Sequence, residues 1–170
     1  MHRRGFLASG VAALAAAAGA GGGLLLQSRG ARAKESFPVE MSEAEWKKKL
    51  TPEEFAVLRR AATERPFSSP LNHNKTAGLY HCAGCDTAVY SSEAKFDSGT
   101  GWPSFFEPVS EDAVATRSDY SLIVPRTEVH CATCGGHLGH VFDDGPPPTG
   151  KRHCINGVAL HFKPGATTAS

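Results

Sequence analysis

The chain has 170 residues, 41% of them hydrophobic and 21% charged, with a formal net charge of +1; that fills one core but not two. Four of its 18 basic residues lie in the first 33 positions, which hold no acidic residue, so the remainder carries 14 basic against 17 acidic side chains. A body near −3 with no basic, aromatic-laced run excludes a nucleic-acid partner on grounds of charge.

The chain opens with Arg3-Arg4-Gly5-Phe6-Leu7, runs through an Ala/Gly/Leu stretch without charge over residues 5 to 28, and reaches Ala31-Arg32-Ala33. A basic start, an apolar middle and an A-x-A end read as a signal peptide over residues 1 to 33, and the paired arginines point to the twin-arginine export machinery and a bacterial periplasm. A retained membrane anchor is the alternative, but an Ala- and Gly-rich span is only weakly hydrophobic for that task.

After a linker over residues 34 to 41, Ser42-Glu43-Ala44-Glu45 has the form of a capping box opening a short helix with Trp46 and Leu50. Thr51-Pro52-Glu53-Glu54 repeats the device, and Phe55, Leu58 and Ala62 fall on one helical face. From Arg65 onward Pro, Gly, Ser and Asn separate short β-prone runs: 78 to 81, 88 to 90, 121 to 124, 128 to 130, 141 to 142 and 157 to 162. The expectation is a mainly β domain of antiparallel sheets over residues 42 to 165 behind a helical preface, with a loose tail from 166 to 170.

Five cysteines divide into Cys82-Ala83-Gly84-Cys85, Cys131-Ala132-Thr133-Cys134 and a solitary Cys154. Two C-x-x-C turns can aim four thiolates at one Zn²⁺, and a full Cys₄ shell leaves no position for water or substrate, so such a zinc is structural. Export favours paired disulfides instead, and a redox C-x-x-C of the thioredoxin kind is a third reading, weakened by the missing βαβ pattern. A twin-arginine route carries folded proteins, which lets metal be loaded while the thiols are reduced. His81 and His130, each preceding a C-x-x-C, could substitute as ligands or be ordinary strand residues.

Cys154 sits between Arg152 and Asn156, which share its face if the segment is a strand. Arginine beside a thiol favours the thiolate, and an amide can orient a polar substrate atom. His137-Leu138-Gly139-His140 offers two proton carriers, and the loop from Gly99 to Phe106 displays Trp102, Phe105 and Phe106, either as an apolar cradle or as core.

Taken together these blocks resemble the methionine-R-sulfoxide reductases, the MsrB family, over about residues 42 to 165. The likeness is carried by the first C-x-x-C, Lys95 to Phe105, the second C-x-x-C with Gly136 to Pro146, and Arg152 to Gly157. It implies a fold of two antiparallel sheets with peripheral helices, Cys154 as nucleophile, His137, His140 and Asn156 as polar substrate-handling residues, Trp102 gripping the substrate methyl group with help from Phe105 or Phe106, and Arg152 beside the thiol. It also implies the structural zinc of the zinc-containing branch on Cys82, Cys85, Cys131 and Cys134.

Two positions depart from the family pattern. Many relatives carry a resolving cysteine where this chain has Thr100, and the common Tyr before the nucleophile is His153. The resemblance therefore implies a monomeric enzyme that takes oxygen from R-methionine sulfoxide in oxidised proteins onto Cys154 as a sulfenic acid. A thioredoxin-like or small-molecule thiol reductant then restores it. A thiol peroxidase and a zinc-stapled binding module without catalysis are the competing readings.

Overall fold

The computed structural model describes residues 35–168; the signal peptide expected over residues 1 to 33 lies outside the described residues. Both helices begin as their caps dictate. In α1 (Glu43–Lys49) Ser42 Oγ accepts from Glu45 N at 3.3 Å while the Glu45 carboxylate accepts from Ser42 N at 2.8 Å. In α2 (Pro52–Arg60) Thr51 and Glu54 make the same reciprocal pair at 3.2 and 2.8 Å. Ala61 turns left-handed at φ 53° and ends α2, so Ala62 falls outside the helix whose face it was expected to extend. Trp46, Val57 and Leu58 are buried, and α2 packs against strand β7 and the short 3-10 turn Gly157–Ala159. Among the described residues no helix is long and apolar enough to cross a membrane.

Among the described residues nine strands follow: β1 (Gly78–Cys82), β2 (Ala88–Ser91), β3 (Lys95–Phe96), β4 (Ser104–Phe105), β5 (Val114–Asp119), β6 (Arg126–Cys131), β7 (His137–Phe142), β8 (Arg152–Ile155) and β9 (Leu160–Pro164). They form two antiparallel sheets, β2-β1-β9 and β3-β4-β8-β7-β6-β5, which bears out the mainly β expectation. Between the sheets Phe105 of β4 stacks on Tyr90 of β2 at 4.4 Å and meets Tyr80 of β1 edge-on at 5.0 Å, all three fully buried. Rings of this size dominate such a core, and truncating one to Ala costs roughly 3–5 kcal/mol.

Three local expectations change. The run 121 to 124 forms no strand and is the exposed tip of the β5–β6 hairpin. The run 157 to 162 breaks at Leu160, because the Glu64 carboxylate takes the N–H groups of Gly157 and Val158 at 2.6 and 3.0 Å and Asn156 O closes a turn with Ala159 N. Strand β5 carries no apolar alternation because it is an edge strand with several solvent-facing residues.

His153 lies on the core side of β8, where Tyr90 Oη and its Nδ1 are 3.0 Å apart. Burial, aided by Lys151, pushes its pKa from 6.5 down to about 4. The unfolded chain therefore binds this proton first as pH falls, so stability is full above pH 6.5 and is lost between 6.5 and 4. The loss amounts to about 3 kcal/mol. His153→Phe should flatten the denaturation free energy over that window relative to the native chain, whatever its absolute stability; an unchanged slope by urea titration at pH 4, 5 and 6.5 refutes this.

Candidate active site and metal centre

A single register line crosses the large sheet. Arg117 of β5 pairs with Glu128 of β6, Glu128 with His140 of β7, His140 with Cys154 of β8, and Cys154 with Ser104 of β4. Residues directly opposite in an antiparallel ladder project to the same face, so five strands deliver these side chains to one surface. His137 would point away from it, being three residues from His140 on a period-two strand. The β6–β7 pairing slips between Val129 and His130, however: Val129 faces Gly139 and His130 faces His137, leaving Leu138 as an extra residue. This bulge turns His137 back, and the two imidazoles meet edge-on with ring centroids 5.3 Å apart.

Each histidine has its own carboxylate. Glu128 Oε1 lies 2.8 Å from His137 Nδ1, and Arg117 grips the same carboxylate at 2.5 and 2.9 Å. Burial opposes the charge, yet the hydrogen bonds from His137 and Arg117 hold Glu128 down to about 2. An ionised carboxylate only accepts, so His137 donates from Nδ1, and its buried Nε2 has no protein partner. Asp119 Oδ2 is 2.8 Å from His140 Nε2 and 2.7 Å from Arg126. The Ser121 hydroxyl and N–H, with His140 and Arg126, keep Asp119 well below the usual carboxylate range. Burial outweighs that carboxylate at His140 and lowers its imidazole pKa, which keeps it neutral near pH 7.

Cys154 is partly buried, with Thr100 Oγ1 at 3.8 Å from its sulfur. Burial raises the thiol pKa, against the lowering by Thr100 and Arg152. The arginine expected to favour the thiolate does pull that way but is outweighed, and it is otherwise engaged: Arg152 forks onto Asp144 with two contacts of 2.9 Å and lies over the Phe142 ring at 4.5 Å. Hydroxyls continue from Thr100 to Ser98 at 2.8 Å, to Ser104 at 2.7 Å, and from Ser104 to Trp102 O at 3.1 Å.

Trp102 lies between two residues that touch β8, Thr100 at the Cys154 sulfur and Pro103, whose carbonyl accepts from Ile155 N. Its indole N–H donates to Glu64 O at 3.1 Å. Asn156 falls one residue beyond β8 and is still extended, at φ −64° and ψ 121°. It is buried, its amide donating to Leu138 O at 2.9 Å and accepting from Glu64 N at 3.0 Å. Both amide ends thus hold backbone, which makes Asn156 a positioning residue. Phe105 is not brought to the site, since it projects to the opposite face and is spent on the aromatic core.

Three residues escaped the sequence reading: Glu128, Asp119 and Glu64. Glu128 and Asp119 are carboxylates on β-strands where a solvated edge charge is the ordinary expectation. Glu64 follows a helix and joins Trp102, Asn156 and the 3-10 turn through its backbone and carboxylate, a convergence with no local signature.

Away from this face, Cys82 ends β1 and Cys131 ends β6, each followed by a turn carrying Cys85 or Cys134. The four sulfurs lie within 4.8 Å of one another, with Cys82–Cys134 at 3.7 Å and Cys85–Cys131 at 3.5 Å. A tetrahedron with Zn–S bonds of ~2.3 Å has edges of ~3.8 Å, so donor type and spacing fit a divalent metal held by four thiolates. These separations far exceed a disulfide bond of about 2.05 Å, and all five cysteines are free. His81 and His130 stand outside the cluster: His81 Nδ1 donates to Asp86 O at 2.7 Å, and His130 packs edge-on against Phe37.

Residues 50–164 match the family described as the SelR domain. The chain belongs to that family. Among the chain's relatives, "Peptide methionine sulfoxide reductase MsrB" of Methanosarcina barkeri is 58% identical over 125 residues, covering 74% of this chain and 88% of that protein. The MsrB of Agrobacterium fabrum is 53% identical over 126 residues, covering 74% and 93%, and that of Pseudomonas putida 52% over 126 residues, covering 74% and 95%. The matched span of the SelR domain takes in both C-x-x-C turns, the two site histidines and Cys154.

Because the four sulfurs join β1 of one sheet to β6 of the other, losing one should loosen the whole domain. Cys131→Ser is expected to lower bound metal by atomic emission from roughly one per chain to near zero and to depress the melting temperature, as chelation of the native protein should do. Full metal retention in this variant would disprove the four-sulfur site.

Proposed function

We propose that this SelR-domain protein is a reductase of methionine R-sulfoxide in oxidised proteins, with Cys154 as nucleophile and one structural zinc on Cys82, Cys85, Cys131 and Cys134. The observation that carries the reading is the sheet-wide register line, which sets a thiol beside one histidine and, through the bulge, within the orbit of a second. Cys154 attacks the sulfoxide sulfur. Its thiol proton passes to neutral His140, whose Nε2 is committed to Asp119, while His137 gives a proton from Nε2 to the sulfoxide oxygen as Glu128 steadies the imidazolium. The sulfur–sulfur bond so formed breaks as the protonated oxygen passes from the methionine sulfur to Cys154, leaving methionine as its thioether and Cys154 as a sulfenic acid. An external thiol then displaces that oxygen as water and forms a mixed disulfide, which a second thiol reduces.

Trp102 supplies the apolar surface for the S-methyl group, and the asymmetry of aromatic wall against polar wall selects the R epimer. The zinc, when bound, holds the two sheets together and takes no part in the reaction. The protein acts as a monomer, and with Thr100 in place of a resolving cysteine the outside thiol attacks the sulfenic acid itself.

The test is an epimer-resolved methionine sulfoxide assay with dithiothreitol. The native chain should consume the R epimer alone, Cys154→Ser should lose activity, and His137→Gln should lose roughly 10²–10⁴ in kcat. Activity persisting in Cys154→Ser, or a faster rate on hydrogen peroxide than on R-sulfoxide, overturns the reading. Mass spectrometry after one turnover without reductant should find sulfenic acid on the native chain and an internal disulfide in Thr100→Cys, because position 100 already touches the sulfur.

We also propose that residues 1 to 33 export the protein to a bacterial periplasm by the twin-arginine route, on the strength of Arg3-Arg4, the uncharged stretch and Ala31-Arg32-Ala33. Sequencing the exported protein should find Lys34 as its first residue; a product still beginning before Arg3 identifies an anchor instead.

A further inference from the structure

The tip of the β5–β6 hairpin is apolar and open. Tyr120, Leu122, Ile123 and Val124 are 69%, 58%, 102% and 72% exposed, and the six residues from Tyr120 to Pro125 carry no charge. Runs this β-prone are ordinarily paired or buried, and an exposed contiguous apolar cluster marks an interaction surface. Its anchor is the same carboxylate that holds a site histidine: Asp119 Oδ1 accepts from Ser121 N at 2.9 Å at the base of the tip, while Oδ2 meets His140 at 2.8 Å. The tip is thus continuous with the reacting face. On the other flank Phe67, 67% exposed, is fixed on Gly101 beside Trp102 through Phe67 N to Gly101 O at 2.7 Å. Of the large hydrophobics exposed among the described residues, only Met41 lies away from these two segments.

We propose that this hairpin tip is the docking surface for the polypeptide that carries the oxidised methionine, taking apolar side chains next to the sulfoxide. The proposal rests on the protein-sulfoxide reading above. A site that accepts one side chain of a polymer must let the chain leave on either side, and methionine is an apolar residue that keeps apolar company. Charge supports this occupant over an anionic membrane, because Asp119 and Arg126 pair with each other at 2.7 Å and leave the tip neutral.

The experiment compares the full chain with Leu122→Ser/Ile123→Ser/Val124→Ser and with the single variant Ile123→Ser, whose side chain supports no fold contact. Substrates are a peptide bearing R-methionine sulfoxide between leucine and valine, and N-acetyl-methionine R-sulfoxide, both with dithiothreitol. The ratio of kcat/KM for peptide to that for the acetylated amino acid should fall roughly tenfold in the triple variant, through KM, and less in the single one. An unchanged ratio overturns the proposal, as does an equal fall on both substrates. It also fails if the ratio holds while the rate with a thioredoxin-type protein reductant drops, or while binding to phosphatidylcholine vesicles drops. A native chain that reduces neither sulfoxide refutes the proposed function itself, which the comparison of variants does not touch.

Discussion

Strand β7 is pressed against β8 so closely that a Cβ on Gly139 would fall 2.0 Å from the carbonyl oxygen of Cys154. Glycine there lets the ladder bring His140 level with the thiol, and next to it the pairing with β6 slips by a residue. Close approach on one edge and a bulge on the other are a single backbone solution. With any side chain at 139 the strands must part, and with no bulge His137 faces the core. The chemistry of this surface depends on that geometry before it depends on any particular acid or base.

Electrostatics then assigns the roles. Two carboxylates of like charge stand within one sheet face, and each is neutralised by an arginine on the neighbouring strand, Arg117 for Glu128 and Arg126 for Asp119. The arginines make it possible to keep partly buried carboxylates ionised, and the ionised carboxylates fix which nitrogen of each imidazole carries its proton. The same burial that lowers His140 raises Cys154. A resting thiol beside a neutral imidazole is a proton-transfer pair, whereas a resting thiolate would need no neighbour to deprotonate it.

The caps, the two C-x-x-C turns and the isolated cysteine were legible in the sequence because each is a local pattern with one physical meaning. The bulge was not, since H-x-x-H reads identically on a helix, a loop or a slipped strand. Strand β5 was hidden because its edge position calls for polar residues, and residues 121 to 124 misled because β propensity says nothing of whether a partner strand exists. Asn156 was grouped with Cys154 by strand alternation, which does not reveal that its amide is committed to backbone at both ends. Phe105 was drawn toward the site by its neighbour Trp102, although residues paired as Ser104–Cys154 and Phe105–His153 must face opposite ways.

In the proposed mechanism Thr100, 3.8 Å from the Cys154 sulfur, leaves resolution of the oxidised cysteine to the surroundings. A cysteine at position 100 would capture the sulfenic acid as an internal disulfide, and an outside thiol would then reduce that bond; a threonine can lower the thiol pKa by a hydrogen bond but cannot resolve a sulfenic acid. Under the proposed mechanism Cys154 must be shielded enough to stay reduced at rest and open enough for a foreign thiol to reach the same sulfur that the substrate reached. The partial burial of Cys154 meets both demands: desolvation raises the pKa of the resting thiol, while the part left open keeps the sulfur within reach of a second thiol.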